Sequence, residues 1–429
     1  MAPHRVLGGV AAVVLMATLA ACGGAPADEG LVRAEGVQPR AVAVVEATDL
    51  DAVTAAARAF GISALAVADR EGNVVLSPGS LATAFAMLAE GARGESLAGL
   101  EALLGASGDG RVEAFAALRG ALAPLDGDPA AATADDLPER PILHVADQIV
   151  LDDEFEARPE YLESLAGAFD AGMQRADLGS EAGMGVLSAW IRHHTGGLIE
   201  KTAIEPDDLL RLVLQDSVLL AARWRSPFPA SGTHQDAFAL SDGSPVEVET
   251  MATVGSFASA GVDGWIAVRL PYTEALHADI LLPPEDADPA DVTDEILGRI
   301  RARLDEAEPV SIAVALPTID TGTTKTDLLP LLPDLGLDAL TCRATGVDLS
   351  GIAGAPGDLC VAQAAHQAVL EVDEEGTVAA AVTEIGVGEA SAPQPPDDEI
   401  RFDRPFLFTV SHDETGWPLF LAAIRDPRH

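Results

Sequence analysis

The sequence predicts an α+β protein in which two β-sheets pack against a layer of helices, within one domain of about 380 residues. Three observations support this class. Helical and strand-like patterns alternate irregularly, without a fixed-period repeat. Two long apolar runs without helix breakers, at residues 142–151 and 209–220, suit central strands. Asp242-Gly243, between two short strand-like segments, is the strongest hairpin signal in the chain.

Helices dominate the prediction for the N-terminal half. A short strand at residues 73–76 ends at Ser77-Pro78, and Ser80 is expected to cap the helix that follows, to about residue 90. The apolar side chains of this helix fall on one face, at Leu81, Ala84, Phe85 and Leu88. Further helices are predicted at residues 47–60, 112–122, 159–169 and 185–194.

Strands dominate the prediction for the C-terminal half. The hairpin around Asp242-Gly243 joins residues 237–240 to residues 246–249. A single amphipathic helix is indicated where apolar residues recur every four positions, at Val292, Ile296, Ile300 and Leu304. Further strands are predicted at residues 264–270, 277–282, 310–316, 369–372, 407–411 and 418–424.

The first 21 residues are predicted to be a secretory signal peptide. Residues 6–20 form an apolar run of about 15 residues, which is too short to span a bilayer comfortably. The segment Leu19-Ala20-Ala21-Cys22 resembles the lipobox of bacterial lipoproteins. That resemblance implies that the thiol of Cys22 is acylated and that Cys22 becomes the mature N-terminus. The alternative is an ordinary secretion signal with an incidental cysteine.

Residues 22–46 are expected to be a flexible tether, because they are rich in Gly, Ala and Pro and lack periodicity. The folded domain is then expected at residues 47–429. An exported cell-envelope lipoprotein with this layout would face the extracytoplasmic or extracellular side. The remaining cysteines, Cys342 and Cys360, are compatible both with a disulfide in an oxidising compartment and with two independent buried thiols.

Charge and motifs exclude several classes of function. The formal net charge of −42 argues against nucleic acid as a partner and against electrostatic docking on anionic lipid, so membrane attachment is expected only through Cys22. No zinc-binding spacing or phosphate-binding loop occurs. The segment Gly94-Glu95-Ser96-Leu97-Ala98 fails the nucleophile-elbow pattern at Ala98. We therefore expect no enzyme, metal site or cofactor, and we expect the adjacent His193 and His194 to lie on the surface.

Residues 376–399 form an unusual segment. Its first part alternates with period two, and places the small side chains of Thr377, Ala379 and Ala381 on one side. Its second part, residues 389–399, is rich in Pro and acidic residues and cannot join a central strand. Taken alone, this segment favours a solvated surface loop.

Six motifs follow one another in a fixed order. They are residues 73–81 with Gly91-Ala92-Arg93-Gly94, Trp190 with Thr195-Gly196, Trp224 with Pro227-Phe228, residues 238–251, Leu270-Pro271-Tyr272, and residues 400–410 around Phe402-Asp403-Arg404-Pro405-Phe406. Together they resemble the serpins, a family of serine protease inhibitors, from about residue 50 to residue 427. The resemblance implies three mainly antiparallel sheets, about eight to nine helices and an exposed reactive loop.

The resemblance gives the unusual segment a role as that reactive loop, at about residues 376–396. Its start is similar to the serpin hinge, at Glu374, Glu375, Gly376, Thr377, Ala379 and Ala381. In the family, a serine or cysteine protease cleaves the loop and is held as an acyl-enzyme while the loop inserts into the main sheet as a new strand. Small or β-branched side chains on the inward face would permit insertion, whereas a charge or proline would oppose it.

Counting from the hinge as the family does places the cleaved bond between Ala390 and Ser391. Alanine before the bond implies an elastase- or subtilisin-like target with a small-residue pocket. The alternative bond, between Glu389 and Ala390, implies a glutamate-specific protease. The loop is a few residues longer than in the family, so the prediction covers residues 387–392.

A polar cluster behind the main sheet, the shutter, is implied at Ser77, Ser80, Asp216 and His366. Asp216 stands where the family usually has Asn, and we expect its carboxylate to accept hydrogen bonds from a protonated His366 and from both hydroxyls. The overall prediction is a monomeric protease inhibitor. The alternative is a non-inhibitory serpin, a binding or carrier module whose loop is merely cleaved.

Overall fold

The computed structural model describes residues 31–134, 136–377 and 396–428. The predicted signal peptide and Cys22 lie outside these ranges. Eight α-helices occur in the described residues, within the number that the sequence predicts. They are α1 (Leu50–Val67), α2 (Pro78–Gly91), α3 (Gly94–Leu104), α4 (Gly108–Leu122), α5 (Pro129–Ala132), α6 (Pro159–Ser164), α7 (Glu181–His194) and α8 (Asp294–Glu306).

Seventeen strands accompany these helices in the described ranges. They are β1 (Val74–Leu76), β2 (Ile142–Asp152), β3 (Gly172–Ala176), β4 (Leu212–Arg223), β5 (His234–Ala239), β6 (Pro245–Val262), β7 (Trp265–Pro271), β8 (Leu276–Leu282), β9 (Val310–Pro317), β10 (Ile319–Asp320), β11 (Thr324–Asp327), β12 (Ala365–Ala368), β13 (Glu371–Val372), β14 (Gly376–Thr377), β15 (Asp398–Arg401), β16 (Phe406–His412) and β17 (Pro418–Ile424).

The strands form three sheets, which confirms the predicted α+β architecture. The largest has the order β1-β17-β16-β8-β7-β6-β9-β15, with β5 also paired to β6. The second, called the main sheet below, has the order β10-β13-β14-β4-β2-β3, and β11 and β12 form a separate pair. Pairing is mostly antiparallel, with parallel pairs at β2–β3 and β9–β15.

The largest hydrophobic core packs helices α1 to α4 against both large sheets. Phe238, Tyr272, Phe406 and Phe408 are among its fully buried side chains, and burying each stabilises the fold by roughly 1.5–3 kcal/mol. Helix α1 is long and apolar enough to cross a membrane, but half of the relevant window is buried inside the protein. In this fold α1 is therefore a core helix.

The cap of α2 is Ser77 and not Ser80, which corrects the sequence-based expectation. Ser77 has an extended backbone (φ −112°, ψ 90°), and its side chain accepts a hydrogen bond from the backbone N–H of Ser80. Pro78 can occupy the first helical position because it lacks an N–H that would need a partner there. The helix thus begins three residues earlier than a cap at Ser80 would place it, and Ser80 lies within its first turn.

Two further expectations are settled by the structure. Cys342 and Cys360 form a disulfide, which resolves the alternative that the sequence left open. His194 is half-buried rather than exposed, because α7 packs this ring against Trp190 and beside His144 of β2. Burial and the neighbouring His144 and His193 lower the pKa of His194 to about 3, so its ring is neutral. His193 is exposed, as expected.

Candidate functional site

Strand β14, the start of the predicted hinge, lies inside the main sheet. Gly376 and Thr377 pair antiparallel with Arg223 and Ala222 of β4, and Thr377 also opposes Val372 of β13. Because β4 and β13 flank it, this short strand has neighbours on both edges. The hinge therefore enters the sheet between two strands rather than leaving its surface.

Gly376 and Thr377 fit tightly at this position. A Cβ atom on Gly376 would lie 2.0 Å from the carbonyl oxygen of Ala222, so only glycine permits this approach of the two backbones. The side chain of Thr377 is 3% exposed, and its hydroxyl hydrogen-bonds with the hydroxyl of Tyr272 over 2.5 Å. A small polar residue at 377 thus meets a buried polar partner.

The two glutamates before β14 hold the chain against the end of β4. The backbone N–H groups of Trp224 and Phe228 donate to the carbonyl oxygens of Glu375 and Glu374, each over 2.8 Å. Arg223 forms an ion pair with Glu375 at 3.1 Å, and the hydroxyl of Thr233 donates to Glu374 over 2.5 Å. The ion pair is about a third exposed and its energy is screened by solvent, so the backbone bonds carry most of this attachment.

Asp373 closes the tight turn between β13 and β14. Its Oδ1 accepts from the backbone N–H groups of Glu375, at 2.8 Å, and of Gly376, at 3.0 Å. Its carbonyl oxygen accepts from the indole N–H of Trp224, which stacks on the ring of Tyr272 with 4.4 Å between ring centroids. Burial and the adjacent glutamates raise the pKa of Asp373 even though two N–H groups bind its carboxylate.

A cleft continues beyond Thr377 in the plane of the main sheet. One side is formed by residues 217–220 of β4 and the other by residues 367–371, and Ile191 of α7 and Thr195, which caps that helix, also line it. Strand β12, on the far side of the cleft, pairs with β11 and not with β4. The main sheet is thus parted next to β14.

Glu371 lies on the rim of this cleft in an acidic environment. It opposes Asp320 in the pairing of β13 with β10. Burial, followed by the charges of Asp320 and Asp373, raises the pKa of Glu371 to about 7. Its ionisation near neutral pH therefore changes the charge beside the cleft.

The structure brings together all four residues of the predicted shutter. The hydroxyl of Ser80 donates to Oδ2 of Asp216 over 2.6 Å, and Nδ1 of His366 lies 3.6 Å from the same oxygen. Burial alone would raise the pKa of Asp216, but the adjacent His366 and the bond from Ser80 hold it below its usual range. Asp216 is therefore ionised at neutral pH.

The hydrogen bonds of this cluster differ from the expectation in two respects. Nε2 of His366 accepts from the backbone N–H of Ser77 over 3.1 Å, so the ring is neutral and carries its proton on Nδ1. The hydroxyl of Ser77 caps α2 and does not bind Asp216. One hydroxyl, not two, thus reaches the carboxylate.

The remaining predicted site residues lie outside the described ranges. They are Ala379 and Ala381 of the hinge, and Glu389, Ala390 and Ser391 at the predicted bond. The description resumes at Pro396, and β15 then pairs in parallel with β9. Sequence reasoning missed the roles of Arg223 and Asp373, since each depends on a neighbour that only the tertiary fold supplies.

No group of three or more metal-ligating side chains occurs within the described part of the chain. The site consists instead of backbone pairing, small side chains and an adjoining cleft. Such an arrangement can accept a strand and has no evident means of activating a nucleophile.

Comparison with known proteins agrees with this geometry. The family model described as serpin (serine protease inhibitor) matches residues 56–427. A serine protease inhibitor from Cyanea capillata is 29% identical over 385 residues, which cover 85% of this chain and 95% of that protein. The leukocyte elastase inhibitor of Bos taurus is 28% identical over 371 residues, covering 83% and 93%.

Among solved structures, the fold is similar to that of tengpin, a thermophilic serpin, in its native state. The TM-score is 0.77 at 21% identity, and the match covers 93% of this chain and 98% of tengpin. The family model spans most of the chain. This chain therefore belongs to the serpin family, a family of serine protease inhibitors rather than of enzymes.

Proposed function

We propose that this protein inhibits serine endopeptidases, with cysteine endopeptidases as a second target class, by acting as a suicide substrate. The protease cleaves the loop after Thr377 and becomes attached to it as an acyl-enzyme. The loop then inserts into the main sheet before the acyl-enzyme can be hydrolysed. The observation that carries the proposal is the position of β14 between β4 and β13, with the cleft directly beyond it.

The pairing of β14 supplies a register for the inserted strand. Since Thr377 opposes Ala222, continued antiparallel pairing would place Ala379 opposite Leu220 and Ala381 opposite Val218. Side chains two residues apart share a face, so Ala379 and Ala381 would face inward like the buried Thr377. Their small size would let the strand enter without displacing the core.

The energy for trapping the protease would come from the new strand. Roughly a dozen additional backbone hydrogen bonds, at about 1 kcal/mol each, would yield on the order of 10 kcal/mol. The uncleaved protein would then be a kinetically trapped state. The cleaved protein should consequently melt at a higher temperature than the intact one, and an unchanged melting temperature would contradict the insertion step.

We place the cleaved bond between Ala390 and Ser391, with Glu389–Ala390 as the alternative. Alanine before the bond favours an elastase- or subtilisin-like protease, and the name of the bovine relative is consistent with an elastase-like target. We further propose a monomer, with residues 1–21 as signal peptide, residues 22–46 as a tether whose later part lies against the domain through the Arg33–Asp170 ion pair, and the domain at 47–429. In that arrangement a lipid on Cys22 holds the inhibitor on the cell envelope, facing outward.

The decisive experiment mixes the protein with elastase, subtilisin and a glutamate-specific protease in separate reactions. An adduct that survives SDS, together with loss of protease activity, is the expected result. Mass spectrometry of the released C-terminal fragment identifies the bond, with a fragment starting at Ser391 expected. Quantitative cleavage without an adduct would instead support the non-inhibitory alternative, a binding or carrier module.

A further inference from the structure

A cavity of about 360 Å³ lies beside β2, at the edge of the main sheet away from the hinge. Strand β3 pairs with β2 only from Gln148 onward, so residues 142–147 have no strand on that side in the described structure. Helices α4 and α7 and the chain around Phe169 enclose this space. Its volume is in the range of cavities that bind small molecules.

Aromatic and aliphatic side chains form one part of the cavity wall. Phe115 of α4 contacts both Trp417 and Phe169, with 5.9 Å between ring centroids in each case. Leu118 and Leu143 extend the same surface. Aromatic faces bind apolar groups and also attract cations.

Among the charged residues that line this cavity, Asp147 and Arg119 carry opposite charges and each have an unfilled hydrogen-bonding atom. Oδ1 of Asp147 and Nε of Arg119 are both closed to solvent and have no hydrogen-bond partner in the described structure. No ion pair within 4.0 Å joins the two side chains. By contrast, Arg33 and Asp170, which also line the cavity, form an ion pair with each other at 2.9 Å.

The situation of Asp147 is costly for an ionised carboxylate. It stands directly opposite Asp216 in the pairing of β2 with β4, and Asp216 takes the hydroxyl of Ser80. Burial and the charge of Asp216 raise the pKa of Asp147 well above its usual range. A cation bound beside Asp147 would supply the missing partner.

We propose that this cavity binds a small zwitterion, with an ammonium group paired to Asp147, a carboxylate paired to Arg119 and an apolar body against Phe115, Phe169 and Trp417. Each charged end of such a ligand pairs with a side chain whose hydrogen-bonding capacity is incompletely used, and the body meets the aromatic wall. A ligand with separated charges fits because the two anchors do not touch. The inference is independent of loop cleavage.

The test measures binding of 4-(aminomethyl)benzoate and of the flexible 6-aminohexanoate to the full-length chain by titration calorimetry. Two analogues each lack one charge: benzylamine has no carboxylate, and 4-methylbenzoate has no amine. We expect the zwitterion to bind at least about tenfold more tightly than either analogue, since each charge-assisted hydrogen bond contributes that much.

Two variants should show a crossed pattern. Asp147→Asn should abolish the advantage of the aminomethyl group over the methyl group, and Arg119→Gln should abolish the advantage conferred by the carboxylate. Asp170→Asn is the matched control, because Asp170 lines the same cavity but is already paired, and it should leave the ranking unchanged. Circular dichroism and melting curves would confirm that all three variants fold.

Three outcomes would overturn the proposal. The first is that neither zwitterion binds. The second is that benzylamine or 4-methylbenzoate binds as tightly as the zwitterions. The third is that Asp147→Asn and Arg119→Gln weaken the binding of all ligands equally. The last outcome would indicate a general loss of cavity structure rather than two specific anchors. Failure here would leave adduct formation with proteases untouched, and failure of inhibition would not affect this binding.

Discussion

The backbone N–H of Ser77 donates a hydrogen bond to Nε2 of His366, over 3.1 Å, at the start of α2. The bond joins the helix behind the main sheet to β12, on the far side of the cleft from β4. An imidazolium ring has no lone pair and could not accept it. This bond therefore ties the start of α2 to β12, and Asp216 lies beside the same ring.

Asp216→Asn should reduce the sensitivity of the protein to acid. The pKa of Asp216 is lowered in the folded state, so its contribution to stability is present above about pH 4 and is lost as the pH falls further. The variant lacks this titration, and its free energy of unfolding should change less between about pH 5 and pH 3. The pH profile of inhibition should flatten as well. An unchanged profile would contradict a role for the shutter residues in the opening of the main sheet.

Asp147→Asn is the matched comparison, because Asp147 faces Asp216 across the β2–β4 pair. Its pKa is raised, so its effect has the opposite sign: stability is lost as the pH rises through the raised value. Urea denaturation near neutral pH should therefore show a variant more stable than the parent. A loss of stability there would mean that the carboxylate has a partner in solution.

Glu371→Gln should remove a pH dependence near neutrality. The pKa of Glu371 is raised to about 7 from an ordinary 4.5, so the folded state is favoured at low pH and loses stability as the pH rises through 7. The parent should melt at a lower temperature at about pH 8 than at about pH 5.5, and the variant should show a smaller difference. Glu139→Gln, at an exposed position, is the control and should retain the parental difference.

Gly376→Ala should displace β14 from the sheet. The added Cβ would lie 2.0 Å from the carbonyl oxygen of Ala222, which is backbone and cannot rotate away. We expect a lower yield of SDS-stable adduct and more free cleaved inhibitor. Gly72→Ala is the control, because its Cβ would meet no atom within 4 Å, and it should behave like the parent. Equal adduct yields in both variants would argue against early docking of the hinge.

Thr377→Arg should convert the inhibitor into a substrate. A guanidinium at a site that is 3% exposed would be buried without a counter-charge, and the hydrogen bond to Tyr272 would be lost. Densitometry of adduct against cleaved band measures the change. Val378→Arg is the control, because strand alternation directs position 378 to the opposite face during insertion. Retained inhibition in the Thr377 variant would refute insertion through this hinge.

Replacing both Cys342 and Cys360 with Ser should destabilise the protein by about 3 kcal/mol, the loop-entropy estimate for a loop of this size. The two cysteines are 18 residues apart, so the effect comes from a loop of moderate length. Urea denaturation with and without reductant measures it. Reductant should lower the stability of the parent to that of the double variant and leave the variant unchanged.

Local patterns predicted most strands that form the core. The long apolar runs became β2 and β4, and the Asp242-Gly243 turn joins β5 to β6 with Gly243 at a φ of 80°. Strand β3 was not predicted, because it has five residues and is fixed by parallel pairing with β2 rather than by its own pattern. The exposed position expected for His194 was wrong because its burial depends on β2.

The site was predictable only in part, for a related reason. The small residues of the hinge are visible in the sequence, and the order of the motifs identified the family. The opposition of Asp147 to Asp216 arises from the register of two strands separated by about 70 residues, and no local pattern contains it. The same holds for the Ser77–His366 bond, whose partners are 289 residues apart.

Under the proposed mechanism, the two-residue strand β14 also bears on the kinetics of inhibition. Starting a strand between two others normally requires several residues to be ordered before any free energy is gained. In the uncleaved molecule, the pairing of Gly376 and Thr377 with β4 and β13 already provides this first step. The inserted strand can then lengthen by one residue pair at a time from β14. The rate of protease trapping would then depend on how readily β4 and β12 separate as the loop inserts. Substitutions near the cleaved bond would change which protease is trapped more than they change the rate of trapping.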